Sequence, residues 1–423
     1  MMLLIVLWRG YRMIYNETRY NSHWNTKKLS ELGTFARGKS KHRPRDDERL
    51  YEGGGYPLIQ TGEVKAANLY ITSHEQEYGE FGLAQSKLWD AGTLCITIAA
   101  NIAETAILGY PMCFPDSVVG FSAFPSESSE KFMHYVFTYI RNSIQNSVTG
   151  SIQDNINIDY LSQLDFKVPP KSYQDKVVGV LGTIDEKIDT NTRICTELEA
   201  TAKTLYDYWF TQFDFPNAEG KPYRSSGGEM VWNDQLKRAI PKGWQVSSIG
   251  SVTRNYDSKR VPLSQNERDT MKGGIPYYGA TGIMDYVNRH IFDGQYVLIA
   301  EDGSVMDAKG NPIVQMIWGK TWVNNHAHVL QGCNGYSNEL LYLLLQHIPV
   351  VKIMTGSIQK KINQDNLNSY KIPQIPDPIS QAFYEIVKPM FEKIQSLQDE
   401  NDELTKLRDW LLPVLMNGQA TVE

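Results

Sequence analysis

The chain has few cysteines, no long apolar run and no recognisable catalytic motif. Its 423 residues include four cysteines and no C-x-x-C pair, which argues against a disulfide framework and predicts a reducing, cytoplasmic location. The apolar run Met1–Trp8 is far shorter than the ~20 residues of a membrane helix, so no membrane association is expected. Because Arg9 and Arg12 follow this run, a signal peptide is not indicated, and Met13 is the expected functional start.

Three motifs that could carry chemistry fail on their context. Gly33–Ser40 matches G-x-x-x-x-G-K-[ST], but no apolar strand precedes it and Pro44 lies where a helix should run. Val168–Lys171 lacks the acid or amide and the aromatic residue of a DNA methyltransferase tetrapeptide. His326 and His328, with Cys333, form a poor metal-ligand set. The sequence therefore predicts no catalytic residues and no metal site.

A short basic segment stands out against the overall charge. The net charge is −6 and the calculated pI about 5.8, so the chain is not coated with positive charge. Arg37, Lys39, Lys41 and Arg43 nevertheless alternate with small and polar residues. A local basic face of this kind suits a phosphate backbone, although a solvated flexible loop is the plain alternative.

The strongest pattern is a gapless internal repeat. Thr149–Gln153 opens a 61-residue segment that recurs from Thr355–Gln359 at an offset of 206 residues, with sixteen identical pairs. In the second half of each copy, apolar residues recur in steps of four and three, from Val177 to Trp209 and from Phe383 to Leu415. This heptad pattern predicts two long helices that pair as a coiled coil, with Asn191 and Asn401 on the seam. Pro389 is expected to kink the second helix or delay its start.

The rest of the chain repeats the same order of elements. Trp24 is echoed by Trp244, and a turn with Asp and Gly precedes the apolar runs Leu94–Ile98 and Tyr296–Ile299. The predicted fold is mixed α/β: two similar globular domains separated by a pair of long antiparallel coiled-coil helices, with pseudo-twofold repetition. The predicted parts are an N-terminal extension, first domain, first helix, second domain, second helix and tail, over residues 1–20, 21–169, 170–215, 216–375, 376–417 and 418–423.

This tandem resembles the specificity subunits of type I restriction–modification systems. The resemblance rests on the Thr–Gly–Ser–Ile–Gln segments with the helices after them, on Trp244, and on Tyr56–Gly62. It implies that each globular domain is a target-recognition domain reading one half of a split DNA sequence in the major groove, with the helices as spacer. The chain itself would be non-catalytic.

The resemblance also implies partners and where their cofactors lie. Two methyltransferase subunits would dock on the helices and carry S-adenosylmethionine, while restriction subunits would use ATP and magnesium. The chain itself would need no cofactor. Asn101, Asn324 and Asn325 are weaker candidates for base contacts. The predicted DNA-binding residues are Arg37, Lys39, Lys41, Arg43, Gln60, Lys65, Gln153, Arg254, Lys259, Arg260, Gln359, Lys360 and Lys361.

Two other functions remain open on the sequence alone. One is a coiled-coil adaptor without DNA specificity, which the helices by themselves would support. The other is a P-loop nucleotide-binding enzyme, which the context of Gly33–Ser40 disfavours.

Overall fold

A computed structural model describes residue 14 and residues 16–149, 156–307, 310–356 and 360–422. They form two compact units. Unit 1 comprises Met1–Thr192 with Asp399–Glu423, and unit 2 comprises Arg193–Gln398. Both boundaries fall within long helices, so each unit contains a globular domain and part of each helix. No helix among the described residues is long and apolar enough to cross a membrane.

In unit 1 short strands alternate with helices. Its strands are β1 (Asn25–Lys28), β2 (Gly33–Arg37), β3 (Tyr56–Leu58), β4 (Tyr70–Ile71), β5 (Gln76–Tyr78), β6 (Leu88–Trp89), β7 (Leu94–Thr97), β8 (Thr105–Leu108), β9 (Met112–Cys113), β10 (Val118–Ala123) and β11 (Asp165–Val168). Its helices are α1 (Leu29–Leu32), α2 (Thr61–Ala66), α3 (Glu80–Gln85), α4 (Glu130–Thr149), α5 (Ile158–Gln163) and the first part of α6 (Lys171–Tyr206).

Unit 2 has a similar but not identical order of elements, with two additional two-stranded pairs. Its strands are β12 (Met230–Asn233), β13 (Arg238–Pro241), β14 (Gln245–Ser248), β15 (Thr253–Asn255), β16 (Lys272–Tyr278), β17 (Ile283–Val287), β18 (Phe292–Asp293), β19 (Tyr296–Ala300), β20 (Val314–Ile317), β21 (Lys320–Val323), β22 (Ala327–Gly332), β23 (Met354–Thr355), β24 (Lys361–Ile362) and β25 (Lys371–Gln374). Its helices are α7 (Ile249–Val252), α8 (Gln265–Thr270), α9 (Asn338–Gln346), α10 (Gln364–Ser369) and most of α11 (Asp377–Met416).

The strand orders of the two units match except for the edge strand β4, which has no counterpart in unit 2. Unit 1 has sheets β2-β10-β7-β8-β4 and β5-β3-β9-β6 with the pair β1-β11. Unit 2 has β15-β22-β19-β20 and β17-β16-β21-β18 with the pair β14-β25. The one parallel pairing in each four-stranded sheet also recurs, as β3 with β9 and β16 with β21. The sequence repeat therefore corresponds to a repeated topology, and the mixed α/β prediction is confirmed.

In each unit the two helix segments run antiparallel. In unit 1, Asn191 bonds to Asn401 at 2.9 Å and Tyr173 bonds to the carbonyl of Leu415 at 3.1 Å, so the residue numbers rise along α6 as they fall along α11. In unit 2, the ring of Tyr206 packs 6.3 Å from that of Phe383. The predicted seam is buried, and its two asparagines bond to each other as the heptads indicate.

Helix α11 lies within one residue of its predicted range at each end, whereas α6 ends at Tyr206, short of the predicted residue 215. After α6 a π-helical turn, Asp207–Thr211, continues the chain. The helix α11 runs without interruption from Asp377 through Pro389 to Met416, so the predicted delayed start is wrong. The proline removes one backbone hydrogen bond, but the buried neighbours Val387 and Phe391 hold the helix against the core.

Each unit has its own hydrophobic core. In unit 1, α4 and α6 cover β7 and β10, with Phe132, Val136 and Leu181 almost fully buried. In unit 2, α9 and α11 cover β19 and β22 in the same way. Residues 1–13 lie outside the described part, whereas Asn16, in the predicted extension, is buried and exchanges two hydrogen bonds with the backbone of Lys167. The chain therefore packs on unit 1 from at least Asn16.

Candidate nucleic-acid interface

The basic segment of unit 1 begins on a strand and continues as an exposed loop. Arg37 ends β2, and its Nε donates to the carbonyl of Asp116 at 3.0 Å. Arg43 lies 3.7 Å from the carboxylate of Asp116, which also pairs with Arg45. The Asp116 carboxylate therefore pairs with two guanidinium groups while its backbone carbonyl accepts from a third, so the surface keeps an excess of positive charge.

Lys39 and Lys41 are the most available cations of this loop. Both are exposed, and neither side chain has an ion pair or hydrogen bond within the described part of the chain. The loop itself is anchored, because the backbone N–H of Lys41 donates to the carbonyl of Gln85 at 3.2 Å. The amino groups therefore project from a fixed backbone, as a phosphate contact requires.

The glycine–lysine motif does not form a nucleotide cradle. Gly33–Arg37 is strand β2, and no helix follows Ser40. The N–H of Gly38 donates to the carbonyl of Val118 at 2.8 Å, so it is already used in the sheet. A Cβ at Gly38 would lie 2.3 Å from the carbonyl oxygen of Pro115, which explains the glycine by close packing. The prediction against a P-loop agrees with this geometry.

Below the loop, Asp47 holds a small charged cluster. Its carboxylate lies 2.6 Å from Arg49 and 2.7 Å from His42. The hydrogen bonds from Arg49 and then His42 lower the pKa of Asp47 well below its usual range. Asp47 is therefore ionised at any physiological pH and fixes the end of the basic loop.

Gln60, Lys65 and Asn101 lie near one another through α2. Gln60 precedes α2, and its backbone N–H donates to the Glu63 carboxylate at 3.0 Å. Lys65, in the last turn, has its Nζ 3.4 Å from the side-chain oxygen of Asn101. The loop of Asn101 is strained, because Ala100 and the buried Ala103 both have positive φ, at 60° and 62°. Such strain persists only where the surroundings enforce it, and it is common at functional loops.

In unit 2 the predicted cations are divided between exposed and paired positions. Arg254 is exposed on β15. Lys259 is exposed too, with its Nζ 5.1 Å from the centre of the Tyr256 ring. Lys360 is half-buried, whereas Lys361 bonds to Glu301 at 2.9 Å. Lys361 can therefore reach a phosphate only by leaving this ion pair.

Arg260 belongs to a buried ion cluster. Its guanidinium is 13% exposed and lies 2.6 Å from Glu301 and 3.4 Å from Asp257. His328 is 1% exposed and uses both ring nitrogens, 2.6 Å from Asp257 and 2.8 Å from the carbonyl of Ile362. These contacts tie the segment after β15 to β19, β22 and β24.

The acids of this cluster are held ionised. Burial opposes this, but the hydrogen bond and charge of His328 lower the pKa of Asp257. Burial likewise opposes ionisation of Glu301, while the hydrogen bonds from Arg260 and Lys361 lower its pKa. Asp257, Glu301 and His328 place donor atoms within 4.8 Å of one another, but cations already occupy both carboxylates. The geometry is that of an internal ion network.

Within the described part of the chain, the remaining sequence candidates do not form a common site. His326 bonds to Asp302 and Cys333 lies 4.0 Å from the carbonyl of Ser251, so the weak His/Cys metal set is not assembled around His328. Asn324 is only 2% exposed, with its amide 3.3 Å from the sulfur of Met284. Gln153 and Gln359 lie outside the described residues. DNA contact by any of the predicted residues stays a prediction.

A buried polar network in unit 1 was missed by the sequence analysis. Arg408, on the helix seam, donates to Asp185 at 3.0 Å and to Asn68 at 2.6 Å. The hydroxyl of Tyr135 donates to the other oxygen of Asp185 at 2.6 Å. The signal was present in the repeat, where Arg408 aligns with Ala202: a charge in one copy replaces an apolar residue in the other.

Comparison with known proteins identifies the family. Residues 21–200 and 241–406 match the family described as "Type I restriction modification DNA specificity domain". The MjaIX specificity subunit of Methanocaldococcus jannaschii is 25% identical over 95% of this chain and 94% of its own length. A putative specificity subunit of Haemophilus influenzae, S.HindORF215P, is 37% identical over 31% of this chain and 32% of its own.

A solved structure agrees with the fold. The S subunit of a type I system from M. genitalium is 17% identical, covers 95% of this chain and 99% of its own, and superposes with a TM-score of 0.54. The family match spans more than half of the 423 residues and both copies of the repeat. The chain therefore belongs to the type I restriction–modification DNA specificity family, the non-catalytic DNA-recognition subunits of these systems.

Proposed function

We propose that each unit of this specificity subunit reads one half of a split DNA target. The observation that carries the proposal is the shared strand order of the two units, which bear different polar residues on matched elements. A common scaffold with different surface residues suits two ligands of the same kind and different sequence. Base edges in the major groove would supply the sequence information.

The basic residues of each unit would position the duplex. In unit 1, Arg37, Lys39, Lys41 and Arg43 would contact phosphates, which orient a protein without specifying sequence. In unit 2, the exposed Arg254 and Lys259 are the better candidates. Gln60, Lys65 and Asn101 would lie closer to the bases, because they surround a strained loop.

The proposed complex contains further subunits. Two methyltransferase subunits would dock on the exposed faces of α6 and α11, and restriction subunits would join them. Chemistry would take place on those subunits, with S-adenosylmethionine on the methyltransferases and ATP and magnesium on the restriction subunits. The target base would be flipped out of the duplex for methylation.

Exchange of the first domain tests this division. Residues 24–148 are replaced by those of a relative, and methylated bases are mapped genome-wide in cells carrying the whole system. One half of the target should change while the other half and the spacer stay the same. The matched exchange of residues 244–354 should alter only the other half. A change in both halves from either exchange would contradict the proposal.

A further inference from the structure

A cationic groove in unit 2 remains unexplained by DNA recognition. The groove encloses about 300 Å³ between the end of α6, the β13 strand, the end of α9 and β25. Buried apolar side chains form its floor, among them Tyr206, Phe210, Ile348 and Ile375. The indole of Trp244 stands at its side and is only half-buried. The floor can thus take an apolar side chain of moderate size.

Three cations line this groove without a carboxylate. Arg238, Lys352 and Lys371 have no ion pair among the residues that the structure describes, and Lys352 and Lys371 are exposed. The guanidinium of Arg238 donates to the carbonyl of Thr211 at 2.9 Å and lies 4.6 Å from the centre of the Phe213 ring. The positive charge is therefore locally uncompensated in a chain whose net charge is −6.

The other titratable groups of the groove do not neutralise these cations. Asp207, at the end of α6, lies 2.9 Å from Nε2 of His347 and accepts from the hydroxyl of Thr211. Burial, together with the nearby charge of Arg224, lowers the pKa of Arg238. An added carboxylate would relieve that penalty.

The matched place in unit 1 is covered by a piece of chain. The repeat aligns Lys371 and Pro373 of β25 with Asp165 and Lys167 of β11. In unit 1, Ile14 forms a parallel bridge with Asp165. The side-chain amide of Asn16 donates to the carbonyl of Lys167 at 2.8 Å and accepts from its N–H at 2.8 Å. The chain at Ile14 and Asn16, where the N–H of Glu17 donates to the carbonyl of Ile14, thus lies beside β11, the strand that already pairs with β1.

In unit 2 the corresponding strand has only one neighbour. Among the described residues, β25 pairs with β14 alone, and Tyr370–Pro373 line the groove. The carbonyl of Pro373 also accepts from the hydroxyl of Tyr336 at 3.4 Å. Pro373 has no N–H, so an asparagine cannot bind there as Asn16 binds Lys167. An occupant would instead bridge at Lys371 and place its side chains on the aromatic floor and the cationic rim.

From these observations we infer that the groove binds an extended acidic segment of a partner protein, with one apolar anchor residue flanked by carboxylates. Peptides commonly add to an exposed strand edge in this way, with backbone bonds for affinity and pockets for specificity. The inference rests on the proposed function in taking the partner from the other subunits of the complex. It adds a contact at the groove to the docking proposed on the faces of α6 and α11.

Charge reversal on the rim tests the inference. The full chain is prepared as Lys352→Glu/Lys371→Glu, with Lys242→Glu/Lys221→Glu as a control, since Lys242 and Lys221 are equally exposed and lie outside the groove. Affinity for the purified methyltransferase and restriction subunits is measured separately at low and high salt. One of them should bind roughly tenfold more weakly to the rim variant at low salt, and the loss should shrink at high salt. Equal affinities for rim variant and control would overturn the inference.

A crosslinking experiment identifies the occupant. A photoreactive amino acid is placed at Val351, which is 69% exposed and adjoins Lys352, and the assembled complex is irradiated and digested. The expected product joins this position to an acidic segment of a partner subunit. A crosslink to DNA, to a second copy of this chain or to no protein would contradict the inference. If wild-type chain forms no complex with its partners, the proposed function fails instead.

Discussion

At matched positions of the repeat, unit 1 and unit 2 exchange charged for apolar side chains. In unit 1 the helix contact is polar, through Asp185 and Arg408, whereas the aligned residues of unit 2 are Phe391 and Ala202. The pattern reverses directly after β7 in unit 1 and directly after β19 in unit 2. Ile156 donates to the carbonyl of Ile98, and Ile362 donates to that of Glu301, so an apolar residue in unit 1 corresponds to a charged one in unit 2.

The exchange shows that one topology tolerates either kind of interior at two places. Buried charges are stable only when they are paired and hydrogen-bonded, so each network must be complete within its own unit. The two networks are therefore alternatives to apolar packing, and they make the units chemically distinct although their strand orders agree.

Removing Arg408 should have the largest effect on this comparison. Arg408→Ala inserts the residue of unit 2 and leaves Asp185 buried beside Tyr135 without its cation. We expect a loss of about 3–5 kcal/mol in the stability of unit 1, measured by hydrogen exchange of its core amides.

The double variant Asp185→Phe/Arg408→Ala completes the exchange and should recover at least half of that loss, because it recreates an apolar pair. Lys406→Ala, at an exposed position of the same helix, serves as the control and should change little. If Arg408→Ala costs no more than the control, the network contributes nothing to unit 1.

Disrupting the ion cluster of unit 2 should cause a smaller loss of stability. Glu301→Ile inserts the residue found in unit 1 and deprives the buried Arg260 of its 2.6 Å partner, although Asp257 remains. We expect unit 2 to lose about 2–3 kcal/mol, by the same exchange measurement, while unit 1 is unaffected. Lys361→Asn inserts the other unit's residue at the half-exposed rim and should cost under about 1 kcal/mol. Equal losses from the two variants would contradict a buried cluster centred on Arg260.

Acid should weaken the two units in different pH ranges. In unit 1, burial lowers the pKa of His134 to about 3 from its usual 6.5. Between these two pH values the imidazole is protonated in the unfolded chain and neutral in the folded unit. Unit 1 should therefore lose stability as the pH falls below about 6.5, by roughly 1 kcal/mol over the first pH unit and by about 1.4 kcal/mol for each unit at lower pH.

In unit 2, Asp257 and Glu301 have lowered pKa values. Their contribution to the stability of unit 2 is therefore fully present above the ordinary carboxyl pKa of about 4 and is lost as the pH falls below that value. Hydrogen exchange of both units between pH 7 and 5 should show the larger change in unit 1. The variant His134→Gln should make the stability of unit 1 less dependent on pH over this range. Parallel losses in the two units would count against this assignment.

The smallest expected effect concerns the basic loop. Lys39→Ala/Lys41→Ala removes two unpaired exposed cations, so DNA affinity of the assembled complex should fall roughly fivefold for every sequence, with a shallower salt dependence. Lys221→Ala, at an exposed position outside the loop, is the control. A change in target preference instead of a uniform loss would show that these lysines read bases.

Much of the architecture followed from local pattern, and much of the site did not. The heptads predicted the helices to within a few residues, because a seam of apolar residues constrains every turn. The basic loop was visible as a run of cations. The ion cluster around Arg260 was not, because Glu301 and His328 are distant in sequence from Arg260 and come together only through the pairing of β19 with β22. Asn324 was predicted as a base contact, yet its burial follows from sheet packing that no local pattern reports.

The sequence by itself determined the duplication, the helix pairing and the family, because these depend on periodicity and on residue identity at a fixed offset. Only the tertiary structure decided which charged side chains are unpaired and which form ion pairs with one another, because burial and partner distance arise from contacts between distant segments. It also decided that β25 borders a cationic groove whereas β11 is covered by Ile14 and Asn16.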